Sequence, residues 1–402
     1  MISDLPRDVA EDVLSRLPVK SMKAVRFACK NWNTVSKSRR FRKRYLAEIK
    51  AASDFMVVMV MDFGLYLRSV NLHGIHKSLE PSINHQGKLF HLIDGVEIHK
   101  VCHCDGLLLC IPRDGTRMVV WNPYLGETRW FEPIARDPKL ASYYAIGYDQ
   151  SSKSSCRRNY KILRYFHTSG DRMRYEVYYF NRNDTIPITI LSDWEVLYHA
   201  RGASVKGNTY WFAQEKIPPD SEEISEIADF LVCFDFTTER FGPRLSLPIH
   251  SYVEDTVTLY SVRDEQLAVL YQPWNTHFLE IWITNKIEPN AVSWNSKVFL
   301  AVDMIPLLGF NFPCDGASFL VDEEKKVAVV IETAKEKEGR YAAYVIGEDG
   351  YFKEMDFGEA SPNNLEYPPI IPYVPSLAQI KQRTGKKKKQ IVKHPGTKAK
   401  KT

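Results

Sequence analysis

The sequence predicts two unlike parts: a small all-α N-terminal domain, and a mainly-β domain arranged like a β-propeller with about six blades. Three observations support this. Apolar residues between positions 5 and 41 recur at helical spacing. After residue 52 the chain changes to short runs rich in Val, Ile, Tyr, Phe and Trp, which Gly, Pro, Asn and Asp separate, as is typical of strands. A two-part hairpin unit then returns at intervals typical of kelch-type propeller blades, about 50 residues.

The helical part begins with one apolar stripe and continues after a proline. The stripe consists of Val9, Val13, Leu14 and Leu17. Pro6 suits a helix start, and Pro18 ends the first helix because its ring cannot continue the backbone ladder. Helical spacing resumes after Ser21, at Met22, Val25, Cys29, Trp32 and Val35. Because so short a segment cannot bury a core alone, it is interpreted as a docking piece.

The β part repeats one unit, a strand pair followed by a strand that ends in a polar turn and an aromatic residue. Equivalent positions are Val120, Val177, Val232, Ile281 and Val345. They lie 57, 55, 49 and 64 residues apart. A sixth copy is predicted at Phe55–Met61 and Leu65–Leu72. A small sheet with two apolar faces cannot bury itself, so the units are expected to stack around an axis. A large β-sandwich with similar hairpins is the alternative.

Charge divides the chain into three regions. Residues 1–50 contain 13 Lys and Arg against 5 Asp and Glu, and residues 376–402 contain 10 against none. The remaining 51–375 hold 31 basic and 44 acidic residues, an excess of 13 negative charges. The predicted organisation is a helical domain at 1–50, a β domain at 51–380 and a disordered lysine-rich tail at 381–402. The β domain is expected to need no help from the helical part, and its acidity argues against nucleic-acid binding there.

The composition indicates a soluble intracellular chain. The first residues lack a basic flank followed by an apolar run, so no secretory signal is expected. The longest strongly apolar run, Phe55–Met61, is far shorter than the roughly 20 residues that a membrane helix needs. Seven scattered cysteines do not form a disulfide framework and suit a reducing compartment. The nucleus, the cytoplasm or both are the predicted locations, without a membrane partner.

The helical segment resembles the F-box in its plant form. The resemblance rests on LP at 5–6, VLSRLPVKS at 13–21, RF at 26–27, CKNW at 29–32 and a closing phenylalanine at 41. It implies a three-helix module that binds a Skp-type adaptor and, through it, a cullin-RING ubiquitin ligase. The positions that would contact the adaptor or hold the helices that do are Leu5, Pro6, Val9, Val13, Leu14, Leu17, Pro18, Val25 and Trp32.

The β domain resembles the type 1 F-box-associated domain, a kelch-like domain that follows the F-box in a large plant family. The resemblance spans about 95–380 and rests on the order of several strings. They are CDGLLLC, VVWNPYLGETRWF, YAIGYD, VKGNTYWFA, FLVCFDFTTERFGPRLSLP, EQLAVLYQ, EIWITNKIEPNAVSW, DEEKKVAVVIE, IGEDGYFKEMDFG and YVPSLAQI. It implies a substrate-recognition subunit that directs target proteins to ubiquitination and degradation by proximity, with a protein substrate that the sequence does not identify.

The usual catalytic motifs are absent from the sequence, as expected of an adaptor that needs no cofactor. It contains no Gly-rich phosphate loop, zinc-protease helix, calcium loop or nucleophile elbow. The best metal candidate is Cys102-His103-Cys104 with Cys110. Adjacent ligands on a strand point to opposite faces, and structural zinc usually needs two or more residues between paired cysteines. Buried strand cysteines are therefore the better interpretation, and no metal is predicted.

Two further features are candidates for partner binding. Trp274, Asn275 and His277 lie in a polar loop between strands, where they either bind a substrate or fill a blade junction. Lys386, Lys387, Lys388 and Lys389 form a nuclear-import candidate or a featureless extension. Two other hypotheses remain open at this point: a ligase-independent module for a sugar or small ligand, and an adaptor tethered to nucleic acid by its basic tail.

Overall fold

A computed structural model shows three N-terminal helices followed by a six-bladed β-propeller. It describes residues 5–17, 21–38, 40–41, 44–45, 47–48, 55–73, 75, 80–89, 96–115, 117–132, 142–151, 158–167, 172–181, 185–196, 200–216, 227–252, 254–305, 311–312, 317–332, 340–359 and 370–380. The predicted fold class is confirmed, and six separate sheets exclude the β-sandwich alternative.

The three helices are α1 (Arg7–Ser15), α2 (Ser21–Ala28) and α3 (Lys30–Lys37). Pro6 stands at the N-cap of α1, where its missing N–H leaves no donor unpaired. The helical spacing after Ser21 is interrupted at Cys29, whose backbone is extended. The Cys29 sulfur accepts a hydrogen bond from the Trp32 N–H at 3.3 Å and thereby caps α3.

The 26 strands follow in chain order. The first eleven are β1 (Phe55–Met61), β2 (Gly64–Asn71), β3 (Ser82–Lys88), β4 (Ile98–Cys104), β5 (Leu107–Pro112), β6 (Met118–Asn122), β7 (Glu127–Phe131), β8 (Ser142–Asp149), β9 (Asn159–His167), β10 (Arg172–Tyr179) and β11 (Thr185–Leu191). The next ten are β12 (Trp194–Glu195), β13 (Ala203–Val205), β14 (Asn208–Glu215), β15 (Asp229–Asp235), β16 (Arg240–Phe241), β17 (Thr256–Val262), β18 (Gln266–Gln272), β19 (Phe278–Glu288), β20 (Ala291–Trp294) and β21 (Leu300–Asp303). The last five are β22 (Ala317–Asp322), β23 (Val327–Glu332), β24 (Arg340–Gly347), β25 (Phe352–Glu359) and β26 (Ile370–Pro372).

Each blade is an antiparallel sheet, and the blades are numbered here in chain order. Blade I combines β26 with β1, β2 and β3, blade II contains β4–β7, blade III β8–β11, blade IV β12–β16, blade V β17–β21 and blade VI β22–β25. In blade I the C-terminal β26 pairs with β1 through Val57 opposite Pro372 and Met59 opposite Ile370. The last described strand therefore closes the ring onto the first, and the predicted sixth copy at 55–72 is confirmed as the remainder of that blade.

Packing between blades forms the core. Strands such as β5 and β6 are buried along their whole length, so both faces of a blade are covered by its neighbours. One apolar cluster joins blades I and II, others join II to III, III to IV and IV to V, and the largest joins V, VI and I. The core is thus a closed circle of interfaces.

The propeller has two distinct faces because hairpin turns alternate between the ends of an antiparallel sheet. The turns after the innermost strands meet at one end, where the Lys206 N–H donates to Asp264 at 2.9 Å and Arg263 pairs with Glu324 at 2.9 Å. We call this end the proximal face. Gly106 in one such turn has a φ of +72°, and a Cβ there would lie 2.5 Å from the Ser376 hydroxyl, so both conformation and space require glycine. The other end is the distal face.

Candidate functional site

The helical domain packs one side against the proximal face of the propeller. Its buried residues form a cluster with the turn between β6 and β7. The cluster contains Leu14, Met22, Val25, Val35, Phe41, Tyr45, Tyr124 and Leu125. The expectation that the β domain stands apart from the helical part is therefore wrong. The apolar side of a three-helix segment is too large to leave in water, and the β6–β7 turn covers it.

Tyr124 is the centre of this joint. Its ring is fully buried and stacks on Tyr45 with centroids 5.3 Å apart. The Arg26 guanidinium lies 5.5 Å from the Tyr124 ring centroid and donates to the carbonyl oxygens of Tyr124 at 2.9 Å and Leu125 at 2.8 Å. These contacts combine aromatic stacking, a cation over a ring and charge-assisted hydrogen bonds in one place.

Asn122 connects the same turn to the C-terminal segment. Its side chain is fully buried, its amide donates to the carbonyl oxygen of Ala378 at 2.7 Å, and its oxygen accepts from the Leu125 N–H at 3.0 Å. A single side chain thus fixes the turn that supports the helical domain and the strand extension that closes the propeller. The string WNPYLGE therefore has a structural role at the joint of three parts of the molecule.

Replacing Tyr124 by alanine is expected to separate the helical domain from the propeller. Loss of a fully buried aromatic side chain costs about 3–5 kcal/mol. We expect thermal unfolding followed by circular dichroism to change from one transition to two, with the helical signal lost first. Tyr124→Phe keeps the ring and its stack and should retain a single transition. A single transition for Tyr124→Ala at the wild-type temperature would contradict the assignment of the joint.

The other side of the helical domain is exposed. Val9 and Val13 are 42% and 40% exposed, Pro6 is exposed and Leu5 is partly buried. Pro18 lies outside the described residues. The predicted adaptor-binding residues that instead face the joint are Leu14, Leu17, Val25 and Trp32. The stripe predicted from sequence therefore divides between outward residues that are free to contact a partner and inward residues that hold the helices on the propeller.

Phe27 is an exposed apolar residue that the sequence analysis did not single out. Its side chain is 80% exposed, the largest exposure among the large apolar residues that the structure describes. Its signal was present in the sequence, because a phenylalanine next to Arg26 falls on the face of α2 opposite to the buried Met22 and Val25. Burying exposed apolar surface on a partner is favourable, so Phe27 joins Val9 and Val13 as a candidate contact.

Comparison with known proteins identifies both parts. A family model of the F-box domain matches residues 2–44, and a model of the F-box associated beta propeller domain matches residues 56–380. The chain belongs to the F-box proteins with an F-box-associated propeller. A putative F-box protein of Arabidopsis thaliana is 51% identical over 399 residues, covering 97% of this chain and 98% of the relative. An F-box/kelch-repeat protein of the same plant is also 51% identical over 399 residues, covering 94% and 99%.

Solved structures with a similar outline are remote. The WD40 domain of SCAP from fission yeast matches with a TM-score of 0.35 and 8% identity, covering 78% of this chain and 88% of that chain. We draw no functional conclusion from this likeness. Among the described residues of this F-box protein, no helix is long and apolar enough to span a membrane.

The distal face of blade V carries the substrate-binding candidates. Trp274 is 56% exposed and Asn275 is exposed, so neither fills a blade junction. His277 is partly buried, and its Nδ1 has no hydrogen-bond partner among the described residues. Neighbouring loops add Tyr252, Phe278 and Ile305 as further exposed large side chains, which the sequence analysis missed because they come from three separate segments.

A central channel passes between the innermost strands of all six blades. Its volume is about 1060 Å³, and its lining comes from β4, β8, β13, β17, β22 and β26. Lys100 lines the channel near its distal end and donates to the carbonyl oxygen of Ser142 at 3.1 Å; burial lowers the pKa of its amine. Asp264 and Asp105 line it near the proximal face. The channel therefore has polar groups at both ends and enough room for a small molecule.

Asp264 predicts a defined pH effect on stability. Burial, opposed by a hydrogen bond from the Lys206 N–H, raises the pKa of Asp264 to about 6. Since the folded protein binds this proton more tightly than the unfolded chain does, the stabilising contribution is complete below pH ~4 and is lost as the pH rises through ~6. Asp264→Asn should therefore unfold at higher urea at pH 7, by about 2 kcal/mol after allowance for partial exposure, and like wild type at pH 4.

The comparison between variants is needed because His103 acts in the opposite direction. Burial lowers the pKa of His103 to about 4, so its contribution is present above pH ~6.5 and is lost as the pH falls through ~4. His103 is unchanged in both proteins, so its effect cancels in the difference. Glu265→Gln removes an exposed neighbouring charge and should change stability by less than about 0.5 kcal/mol. Equal wild-type and Asp264→Asn stability at pH 7 would contradict the assignment.

The candidate zinc residues do not converge. Cys102 and Cys104 pack in the interface between blades II and III, and the Cys102 thiol donates to the carbonyl oxygen of Tyr144 at 3.2 Å. Cys110 lies in the other interface, between blades I and II, and the ring of His103 lies 5.5 Å from that of Tyr373. Burial raises the pKa of Cys102 to about 12, so its thiol is protonated at neutral pH. The described residues contain no cluster of three His, Cys, Asp or Glu suited to a metal.

Proposed function

We propose that this protein is a non-catalytic substrate receptor of a Skp–cullin–F-box ubiquitin ligase. One observation carries the proposal: the F-box keeps Val9, Val13 and Phe27 exposed while its opposite side is fixed to the propeller. Apolar side chains on a small helical domain lower the solubility of the free protein unless a partner covers them. Membership of the F-box family supports a Skp-type adaptor as that partner.

In this proposal the protein acts by proximity. The F-box binds the adaptor at one end of the molecule, and loops on the propeller hold the substrate. The joint at Tyr124 and Arg26 limits motion between the two parts, so a bound substrate keeps a defined position relative to the ligase. Holding reactants in a defined arrangement raises their effective concentration, which is the whole contribution required of a receptor. The chemistry belongs to the recruited conjugating enzyme.

Reconstitution tests the proposal. The full-length chain is co-expressed with a Skp-type adaptor, purified by a tag on the adaptor and analysed by size exclusion for a one-to-one complex. The matched control is the double variant Val9→Asp/Val13→Asp, which changes only exposed positions. A stable complex with wild type and none with the variant is the expected result. Failure of the folded wild-type chain to bind any Skp-type adaptor would overturn the proposal.

The central channel supports small-ligand binding as a second candidate function. Its volume of about 1060 Å³ and its polar ends meet the general requirements of a ligand pocket. A ligand that binds only the folded state raises the melting temperature by mass action. A panel of sugars and small organic acids that leaves the melting temperature of the full chain unchanged would argue against this function.

We propose a nuclear and cytoplasmic location, supported by Lys386, Lys387, Lys388 and Lys389, which lie outside the described residues. A clustered run of lysines is a common nuclear-import signal. A fluorescent fusion of the full chain should accumulate in the nucleus more than the same fusion ending at residue 380. Equal distributions would reject the run as an import signal.

A further inference from the structure

Four exposed large apolar side chains lie together at the distal end of blade V. Tyr252, Trp274, Phe278 and Ile305 are 54%, 56%, 48% and 57% exposed. We call these four residues the blade V patch. They come from the loop before β17, the β18–β19 turn, the start of β19 and the segment after β21. Scattered single apolar residues are ordinary on a surface, but four in adjoining loops of one blade indicate an interaction site.

A buried carboxylate joins the first two loops. Asp255 is 4% exposed and accepts hydrogen bonds from the Tyr252 N–H at 2.8 Å and the Trp274 N–H at 2.9 Å. The Tyr271 hydroxyl donates to the same carboxylate at 3.0 Å. Charge-assisted hydrogen bonds of this kind are strong, so the backbone positions of Tyr252 and Trp274 are fixed relative to each other.

Two more contacts fix the remaining loops. The Asn311 amide donates to the carbonyl oxygens of Pro273 at 3.2 Å and Trp274 at 2.9 Å. The Met304 N–H donates to the carbonyl oxygen of His277 at 2.9 Å, which places Ile305 beside the start of β19. A surface that is ordered before binding loses little conformational entropy when a partner docks, so these bonds favour a role in recognition.

The charge around the patch has one sign. The described loop residues 250–252, 254–255, 273–278 and 303–305 contain Glu254, Asp255 and Asp303 and no lysine or arginine. Glu254 and Asp303 are exposed. Residues 217–226, which lie outside the described residues, add four carboxylates to the sequence of the adjacent blade. An apolar centre within an acidic surround is complementary to an apolar segment that carries basic residues.

We propose that the blade V patch is the substrate-docking site, and that it binds a segment of the substrate protein in which apolar side chains stand next to lysine or arginine. The proposal rests on the receptor function proposed above. Trp274 and Phe278 supply the apolar contact, while Glu254 and Asp303 select basic flanks. Aromatic anchors commonly dominate the energetics of protein interfaces, and charges at the rim set selectivity.

The test uses an unbiased library of random 12-residue peptides, selected on the full-length chain bound to a Skp-type adaptor. We expect enrichment of peptides in which Leu, Phe, Met or Trp adjoins Lys or Arg. Fluorescence anisotropy then measures binding of the enriched peptides. Trp274→Ser/Phe278→Ser should weaken binding at least tenfold, as expected when interface anchors are lost. Added salt should weaken binding to wild type, because it screens the acidic surround.

Two further variants separate the contributions. Glu254→Lys/Asp303→Lys keeps the apolar side chains and should weaken the basic peptides while improving binding of matched peptides that carry glutamate. Trp130→Ser removes a partly exposed aromatic on blade II and should leave binding unchanged. All three variants change exposed or partly exposed positions, so melting temperatures should stay near the wild-type value. A patch variant that melts like wild type and binds every enriched peptide normally would overturn the proposal.

Other occupants predict different results. If a second copy of the chain covers the patch, light scattering will show a wild-type dimer that Trp274→Ser/Phe278→Ser converts to a monomer. If the lysine-rich tail covers it, a chain ending at residue 380 will bind the peptides more tightly than the full chain. Either result, or no enriched peptide, overturns the substrate assignment. Adaptor binding is measured in parallel, and its loss in wild type would defeat the receptor function while leaving the peptide preference intact.

Discussion

Replacing Val9 and Val13 together by aspartate will abolish binding to a Skp-type adaptor while leaving the fold unchanged. Both side chains lie on α1 and face away from the joint with the propeller. Placing two charges in an apolar interface costs more than about 3 kcal/mol, which corresponds to a loss of affinity of at least about 100-fold. Isothermal titration calorimetry with purified adaptor measures the loss, and the melting temperature should change by less than about 2 °C.

A buried neighbour provides the matched contrast. Leu14 lies one residue from Val13 but is fully buried in the joint. Leu14→Ala should lower the free energy of unfolding by about 2–5 kcal/mol because it leaves a cavity. At a temperature where it is still folded, it should bind the adaptor within about threefold of wild type. If Leu14→Ala abolished binding and Val9→Asp/Val13→Asp did not, the inward and outward faces of α1 would be assigned the wrong way round.

The strand repeat was predictable from sequence because each blade has the same physical requirement. A strand buried on both faces is apolar along its length, and a tight turn after the innermost strand needs residues that accept positive φ. Asp105 and Gly106 have φ values of +49° and +72°, and Lys206 and Gly207 have +51° and +81°. These local signals recur at each blade, so they reveal the period and the number of blades without any long-range information.

The joint was not predictable because its residues are far apart in the chain. Tyr124 reads as part of a polar turn with an aromatic residue, and nothing local shows that its ring is covered by Tyr45. The exposed side of α1 could be predicted only as part of a stripe, since helical periodicity shows which residues share a face but not which partner covers it. The blade V patch was found only in part for the same reason, because Asp255 brings together loops that the sequence separates.

Closure of the ring belongs to the same class of long-range contacts, and shortening the chain tests it. A chain that ends at residue 369 lacks β26 and is expected not to fold, whereas a chain that ends at residue 380 should unfold like wild type. Ile370, Tyr373 and Ile380 are 4%, 1% and 3% exposed. Their burial contributes about 6 kcal/mol, at about 2 kcal/mol for each side chain, which is comparable to the whole stability of a typical domain, about 5–15 kcal/mol.

The two truncations differ by eleven residues, and those residues connect three blades. They pair with β1 through Met59 and Val57, fill the interface between blades II and III with Ala378 and Ile380, and receive the hydrogen bond from Asn122. Without them β1 has an unpaired inner edge in the channel, which favours aggregation. Urea unfolding followed by tryptophan fluorescence measures the difference. Equal urea midpoints for the two chains would show that blade I closes without β26; the expected result is a cooperative transition for the longer chain alone, because a propeller holds its blades together only as a complete circle of interfaces.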